Sequence, residues 1–60
     1  MNWAELIRIA EEHGYEFMKH GGNHDFYYNK EKQDILVVER HKSQEVKKGL
    51  MFKLKKQIGF

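Results

Sequence analysis

Four histidines, at positions 13, 20, 24 and 41, are the side chains of this sequence best suited to chemistry. There is no cysteine, and the one serine, Ser43, lies outside any Gly-x-Ser-x-Gly turn, so thiolate and serine nucleophiles are not indicated. His20 and His24 flank a glycine turn, whereas zinc-binding histidine pairs usually share one helix face and need further ligands. What remains is acid–base chemistry by an imidazole, with no metal and no cofactor.

His24 is the histidine that the sequence presents best for such chemistry. It follows Gly21-Gly22-Asn23, three residues that tolerate positive φ and let a phosphate approach the backbone N–H groups. RNA carries its own nucleophile, the 2′-hydroxyl, so cleavage needs a group that takes this proton or protonates the leaving 5′-oxygen. Imidazole titrates near neutrality and suits either step. We interpret His24 as a candidate catalytic acid or base; the alternative is an ordinary strand-edge histidine.

Positive charge for binding the phosphate is expected from Lys19, Arg40 and Lys42, beside the backbone at Gly22 and Asn23. Residues 40–60 hold seven basic side chains and one acidic, whereas residues 1–39 hold four basic and eight acidic. Such a segment can attract a phosphate backbone, although a solvated lysine-rich helix face has the same composition.

Asp25 is the nearest carboxylate to His24 along the chain. Successive strand residues point to opposite faces, so Asp25 is not expected to orient His24. The aromatic run that follows, residues 26–28, favours core or base stacking, and its unbroken apolarity leaves open which face of the strand is buried.

The first element is a helix over residues 3–13. Asn2 and Glu5 match a capping box, and Gly14 favours the left-handed conformation that follows a last turn. Helical spacing predicts an apolar face: Trp3, Leu6, Ile7 and Ala10. His13 is interpreted as a surface residue at the helix end.

Three strands are predicted next, at about residues 15–19, 24–28 and 35–38, with a polar hairpin connection at 29–33. The run Ile35-Leu36-Val37-Val38 is continuously apolar, which indicates a strand buried on both sides or placed centrally near a helix layer.

A second helix is predicted to begin between Glu45 and Gly49, because glycine is costly inside a helix. Its apolar positions fall four residues apart: Val46, Leu50, Leu54 and Ile58. Gly59 ends the helix, and Phe60 is expected to fold back.

The element order predicts one α+β domain over residues 1–60, a two-layer sandwich of order α-β-β-β-α. Its three-stranded antiparallel sheet carries both helices on one face. The chain has 60 residues, and a domain of this size is marginally stable and suits a partner chain. The beginning of the chain shows no signal pattern and no apolar run spans a membrane, so we expect a cytoplasmic protein without membrane contact.

These residues resemble the HicA family, small mRNA interferase toxins of bacterial and archaeal toxin–antitoxin pairs. Three segments carry the resemblance: the opening helix with Gly14-Tyr15, the motif Gly22-Asn23-His24, and the run from Val38 to Gly59. Asn23 replaces the family's usual serine or threonine, and Asp25 stands where a second histidine is frequent. His41 matches a histidine often found after the third strand.

The resemblance implies a fold like the double-stranded RNA-binding domain and metal-independent cleavage of mRNA, with His24 as the catalytic residue. It also implies a HicB-type antitoxin that binds the toxin and masks its active site, with His41 as a contact for RNA or antitoxin. Two other functions stay open on the residues alone: a non-catalytic module that binds double-stranded RNA, and an interaction protein that folds with a partner.

Overall fold

The chain forms two helices around one antiparallel sheet, and the computed structural model describes all residues from 1 to 60. In chain order the elements are α1 (Trp3–Glu12), β1 (Tyr15–His20), β2 (His24–Asn29), β3 (Asp34–Glu39) and α2 (Lys48–Ile58). The strands lie in the order β1-β2-β3, joined by hairpins. This confirms the predicted α-β-β-β-α architecture.

Helix α1 begins and ends as its sequence predicts. The Asn2 side chain accepts from the Glu5 backbone N–H at 2.9 Å, and the Glu5 carboxylate accepts from the Asn2 N–H at 3.1 Å. After the helix, Gly14 has φ 96°, a conformation that glycine adopts without steric cost. His13 lies at the end of α1, where its Nδ1 is 2.8 Å from the Ile9 carbonyl oxygen, so its interpretation as a helix-end residue is confirmed.

Both helices cover the same face of the sheet. The single core contains side chains from both helices, from all three strands and from the loop before α2: Trp3, Leu6, Ile7, Ala10, Tyr15, Tyr27, Leu36, Val38, Val46, Leu54 and Ile58. The buried face of β2 is therefore the one carrying Asp25, Tyr27 and Asn29. We call this the helix side of the sheet, and the opposite face the open face.

The expectation for the third strand was wrong. β3 is an edge strand that pairs only with β2, and it is buried on one face. Ile35 and Val37 lie on the open face, exposed at 48% and 46%. An unbroken apolar run shows that both faces of a strand are apolar. In β3 the helices cover only the face that carries Leu36 and Val38.

Strand β1 contains an irregularity that changes which face its last residues occupy. Phe17 pairs with Tyr27, but Lys19 pairs with the very next residue of β2, Phe26, so Met18 is an extra residue in the ladder. Such a bulge interrupts strict alternation. Consequently Lys19 shares a face with Phe26, and His20 shares the helix side with its pairing partner Asp25.

Helix α2 starts at Lys48, which places Gly49 in its first turn as predicted. Leu54 and Ile58 are buried, while Val46 is buried ahead of the helix. Leu50, predicted to share their apolar face, is instead exposed, and Met51 beside it packs against the core. Positions four residues apart drift around a helix of 3.6 residues per turn, which turns Leu50 away from the core. Gly59 ends α2 with φ 98°, and the Phe60 ring returns to 6.2 Å from the His13 ring.

A partly buried polar network joins α2 to the sheet. The Tyr15 hydroxyl donates to Asp34 Oδ2 at 2.6 Å, and Gln57 Nε2 donates to the same oxygen at 2.9 Å. The Tyr15 hydrogen bond, with that from Gln57, lowers the pKa of Asp34, while burial raises the pKa of Tyr15.

The two helices are each too short and too polar to span a lipid bilayer.

Candidate active site

The candidate site surrounds the turn between β1 and β2, residues 21–23, which we call the tip of the hairpin. The Gly21 N–H donates to the His24 carbonyl at 2.7 Å, which closes the hairpin tightly. None of the three turn residues adopts the positive φ that their types tolerate. Gly21 is instead required by space, because a Cβ there would lie 2.5 Å from the Phe26 ring; at Gly22 a Cβ would meet nothing within 4 Å.

His24 lies at the tip on the open face, with 47% of its side chain exposed. Its Nε2 is 3.3 Å from Glu39 Oε1, a cross-strand contact between directly paired residues of β2 and β3. Asp25 points to the opposite face, as expected, and does not orient His24. We call His24 and Glu39 the open-face pair.

An open depression beside the tip brings together three of the predicted site residues. It is lined by Asn23, His24, Glu39, Arg40 and His41. Arg40 also donates through Nη1 to the Gly22 carbonyl at 3.0 Å. The predicted Gly22, Asn23, His24 and Arg40 are therefore neighbours, and the His24 imidazole is reachable from solvent.

Asp25 is the most connected polar side chain of the site, and it is only 4% exposed. Its Oδ1 lies 2.7 Å from His20 Nδ1 and 3.3 Å from Arg40 Nε, and its Oδ2 accepts from Lys42 Nζ at 3.3 Å. The His20 hydrogen bond, then the Lys42 hydrogen bond, holds the pKa of Asp25 below its usual range. We call His20 and Asp25 the helix-side pair.

The positions of Arg40 and Lys42 follow from how the loop after β3 is held. The first backbone N–H groups of α1 lack partners within the helix. They donate to this loop instead, Ala4 to the Lys42 carbonyl at 3.0 Å and Trp3 to the Gln44 carbonyl at 3.1 Å. The loop is thereby fixed across the end of the sheet, with both cations against Asp25.

Lys19 does not join that cluster. Its Nζ lies 5.5 Å from the centre of the Phe26 ring, a cation–π contact on the open face. The structure therefore separates the predicted phosphate-binding side chains, with Arg40 and Lys42 against Asp25 and Lys19 over Phe26.

Three residues of the site were not predicted: His20, Asp25 and Glu39. Asp25 was considered only as a partner for His24, and the bulge that turns His20 towards it has no marker in the sequence. Glu39 could have been found by pairing β2 with β3 from the centre of their connection outwards, since it directly faces His24.

No three histidine, aspartate or glutamate side chains lie close enough together to hold a metal ion. His13 is at the end of α1, and His41 lines the depression. Two histidines contact carboxylates, and each contacts one: His20 with Asp25 on the helix side and His24 with Glu39 on the open face.

A protein-family model described as the HicA toxin of bacterial toxin-antitoxin matches residues 3–60. No curated protein and no solved structure matches the chain. The family match runs from the first residue of α1 to the end of the chain, so it includes both imidazole–carboxylate pairs and the loop that carries Arg40 and Lys42.

Proposed function

This chain belongs to the HicA family of toxins from bacterial toxin–antitoxin systems, and from that membership we propose that it is an mRNA interferase. The proposed activity is endonucleolytic cleavage of mRNA, with His24 as general acid or base. The observation that carries the proposal is the position of His24: half-exposed, at the tip of a glycine hairpin, in a depression it shares with Arg40.

The chemistry asked of His24 is a single proton transfer. The ribose 2′-oxygen attacks the adjacent phosphorus, the bond to the 5′-oxygen breaks, and an imidazole exchanges a proton with one of these two oxygens. A neutral imidazole takes the proton, whereas an imidazolium donates it. Glu39 Oε1 lies 3.3 Å from Nε2 on the open face, close enough to stabilise the protonated ring.

Phosphate binding falls to the groups around the tip. Arg40 uses Nε and Nη1 on Asp25 and Gly22, and a guanidinium has five N–H donors, so others remain for a phosphate. Lys42 has three donors and spends one on Asp25. Asn23 lines the depression, Gly22 leaves it uncrowded, and Lys19 adds charge on the same face as His24.

An antitoxin partner follows from the family, and we propose one of the HicB type. The open face gives such a partner apolar surface next to the site: Ile35 and Val37 are about half-exposed, on the strand whose Glu39 contacts His24. A chain seated there would cover the imidazole. A toxin that acts on mRNA works where mRNA is, so we propose a cytoplasmic location.

Cleavage of a defined RNA by purified protein, with a chelator present, tests the proposal. Wild type should release fragments ending in a 2′,3′-cyclic phosphate, because the 2′-oxygen is the nucleophile. His24→Ala should bind the same RNA and cleave it roughly 10²- to 10⁴-fold more slowly, the usual contribution of a positioned acid or base.

His13→Ala is the matched control, since it removes an exposed histidine far from the tip along the chain. It should cleave like wild type. Salt-sensitive binding of duplex RNA by all three proteins, with no fragments from any, would instead identify a non-catalytic RNA-binding module. Activity that a chelator abolishes would contradict the metal-independent mechanism.

A further inference from the structure

The helix-side pair has the features of a proton-transfer group that the proposed function does not use. His20 is 63% exposed, yet its Nδ1 is held by a carboxylate that is only 4% exposed. An ionised carboxylate only accepts hydrogen bonds, so Nδ1 carries the hydrogen. The neutral ring then has its lone pair on Nε2, at the end of the ring away from Asp25.

We propose that His20 is a second catalytic residue, the general base that takes the 2′-hydroxyl proton of RNA, and that Asp25 is its positioning residue. This inference rests on the proposed function and divides its chemistry between two histidines. RNA cleavage needs one group to accept a proton and another to donate one, and His24 alone supplies one of the two at a time.

The hairpin tip places the two imidazoles on either side of the proposed phosphate site. His20 and His24 are the residues directly before and after the turn, on the helix side and the open face respectively. Arg40 spans the tip between them, because Nε lies against Asp25 and Nη1 against the Gly22 carbonyl. A phosphate bound by the remaining guanidinium N–H groups would lie at the tip, between the two faces.

The charges favour an anion at this place despite the carboxylate. Asp25 is nearly inaccessible and faces two permanent cations, Arg40 and Lys42. These cations offset Asp25 and Glu39, so the protonated His24 that the reaction needs leaves net positive charge at the tip even with His20 neutral. The pKa of Asp25, held below the usual range mainly by the His20 hydrogen bond, keeps this carboxylate ionised at neutral pH. Asp25 thus fixes the His20 ring without presenting negative charge to the RNA.

The reaction balances with these two groups. His20 Nε2 removes the 2′-hydroxyl proton while the 2′-oxygen forms its bond to phosphorus. The bond from phosphorus to the 5′-oxygen breaks, and protonated His24 donates its proton to that oxygen. The products are a 2′,3′-cyclic phosphate and a 5′-hydroxyl, with one proton gained by His20 and one lost by His24.

Single-turnover cleavage of two RNA substrates tests the assignment. One has an ordinary 5′-oxygen leaving group and the other a bridging 5′-sulfur, which leaves as a thiolate without protonation. On the ordinary RNA, His20→Ala and His24→Ala should each reduce the rate by about 10²-fold or more. On the sulfur RNA, the loss in His24→Ala should largely disappear and the loss in His20→Ala should persist.

His20→Gln repeats the test with a side chain that can keep the hydrogen bond to Asp25, and His13→Ala is again the control. Asp25→Asn should lower kcat with little change in KM and alter the pH–rate profile. Wild-type rates for both His20 variants on both substrates would overturn this inference and leave the proposed function standing. A wild-type protein that cleaves neither RNA would overturn the proposed function itself, and this inference with it.

Discussion

The molecule holds two imidazole–carboxylate pairs, one on each face of the same hairpin end, and they differ in which member is buried. In the helix-side pair a buried carboxylate holds an exposed ring through a 2.7 Å hydrogen bond. In the open-face pair both members are solvent-accessible, the contact is 3.3 Å, and the Glu39 carboxylate is 34% exposed. A buried carboxylate with several cationic partners has one orientation, whereas an exposed one has many.

The difference separates structural from chemical roles. Asp25 connects β2 to β1 through His20 and to the loop after β3 through Arg40 and Lys42, so it contributes to the fold as well as to the site. Glu39 contacts only His24 among the ionic groups. We therefore expect substitutions in the helix-side pair to affect stability and chemistry together, and those in the open-face pair to affect chemistry alone.

The largest expected effect distinguishes the two carboxylates by stability. Asp25→Ala removes the common partner of three basic side chains and leaves a void at a position that is only 4% exposed. Glu39→Ala removes one exposed contact, and such pairs contribute about 0–1 kcal/mol to the free energy of unfolding. Thermal unfolding followed by circular dichroism should therefore give a much lower midpoint for Asp25→Ala than for Glu39→Ala.

Salt provides the control for this comparison. Exposed charges are screened over roughly 10 Å at 0.1 M salt and over about 3 Å at 1 M, so any effect of Glu39→Ala should shrink at high salt. The effect of Asp25→Ala should persist. Equal midpoints for the two variants at both salt concentrations would show that burial does not distinguish the pairs.

A smaller effect is expected at the hairpin tip that separates the pairs. Gly21→Ala places a Cβ 2.5 Å from the Phe26 ring and 3.1 Å from the His24 carbonyl oxygen. Relief of such overpacking typically costs about 1–3 kcal/mol and should shift Phe26, which lies on the open face two residues after His24. Chemical-shift changes in Phe26 and His24, with a lowered unfolding midpoint, would measure it.

Gly22→Ala is the matched control, because its Cβ would meet nothing within 4 Å. Changes of this kind at open surface positions usually stay within about 0.5 kcal/mol. A Gly22→Ala variant as destabilised as Gly21→Ala would mean that backbone conformation, and not contact with Phe26, requires glycine in this turn.

Most of the architecture could be predicted from local sequence signals. The capping box at Asn2 and Glu5 and the glycines after both helices determine where elements begin and end, and both were confirmed. His24 was predicted at the exit of a turn because glycine turns have a local signature. That much depends on residues within a few positions of each other.

The rest of the site depends on pairing between strands, which local signals do not determine. The contact of His20 with Asp25 requires the extra residue Met18, because strict alternation from Tyr15 would have turned His20 to the open face. The exposure of Ile35 and Val37 likewise depends on β3 being an edge strand. A bulge and a sheet edge are properties of the assembled ladder, so the helix-side pair was missed.

The smallest effect expected is a dependence of stability on acid pH that Asp25 carries. Its pKa is lower in the folded protein than its ordinary value of about 4, so its ionisation stabilises the fold above that value. That contribution is lost as pH falls through the lowered folded pKa. Asp25→Asn should therefore flatten the decline of the unfolding midpoint below about pH 4 and lower the midpoint at neutral pH.

Asp34, whose pKa is also lowered, leaves a residual decline, which Asp34→Asn should remove separately. A decline in Asp25→Asn as steep as in wild type would show that the cations around Asp25 do not stabilise its ionised form, and would remove the electrostatic basis for the contrast between the two pairs.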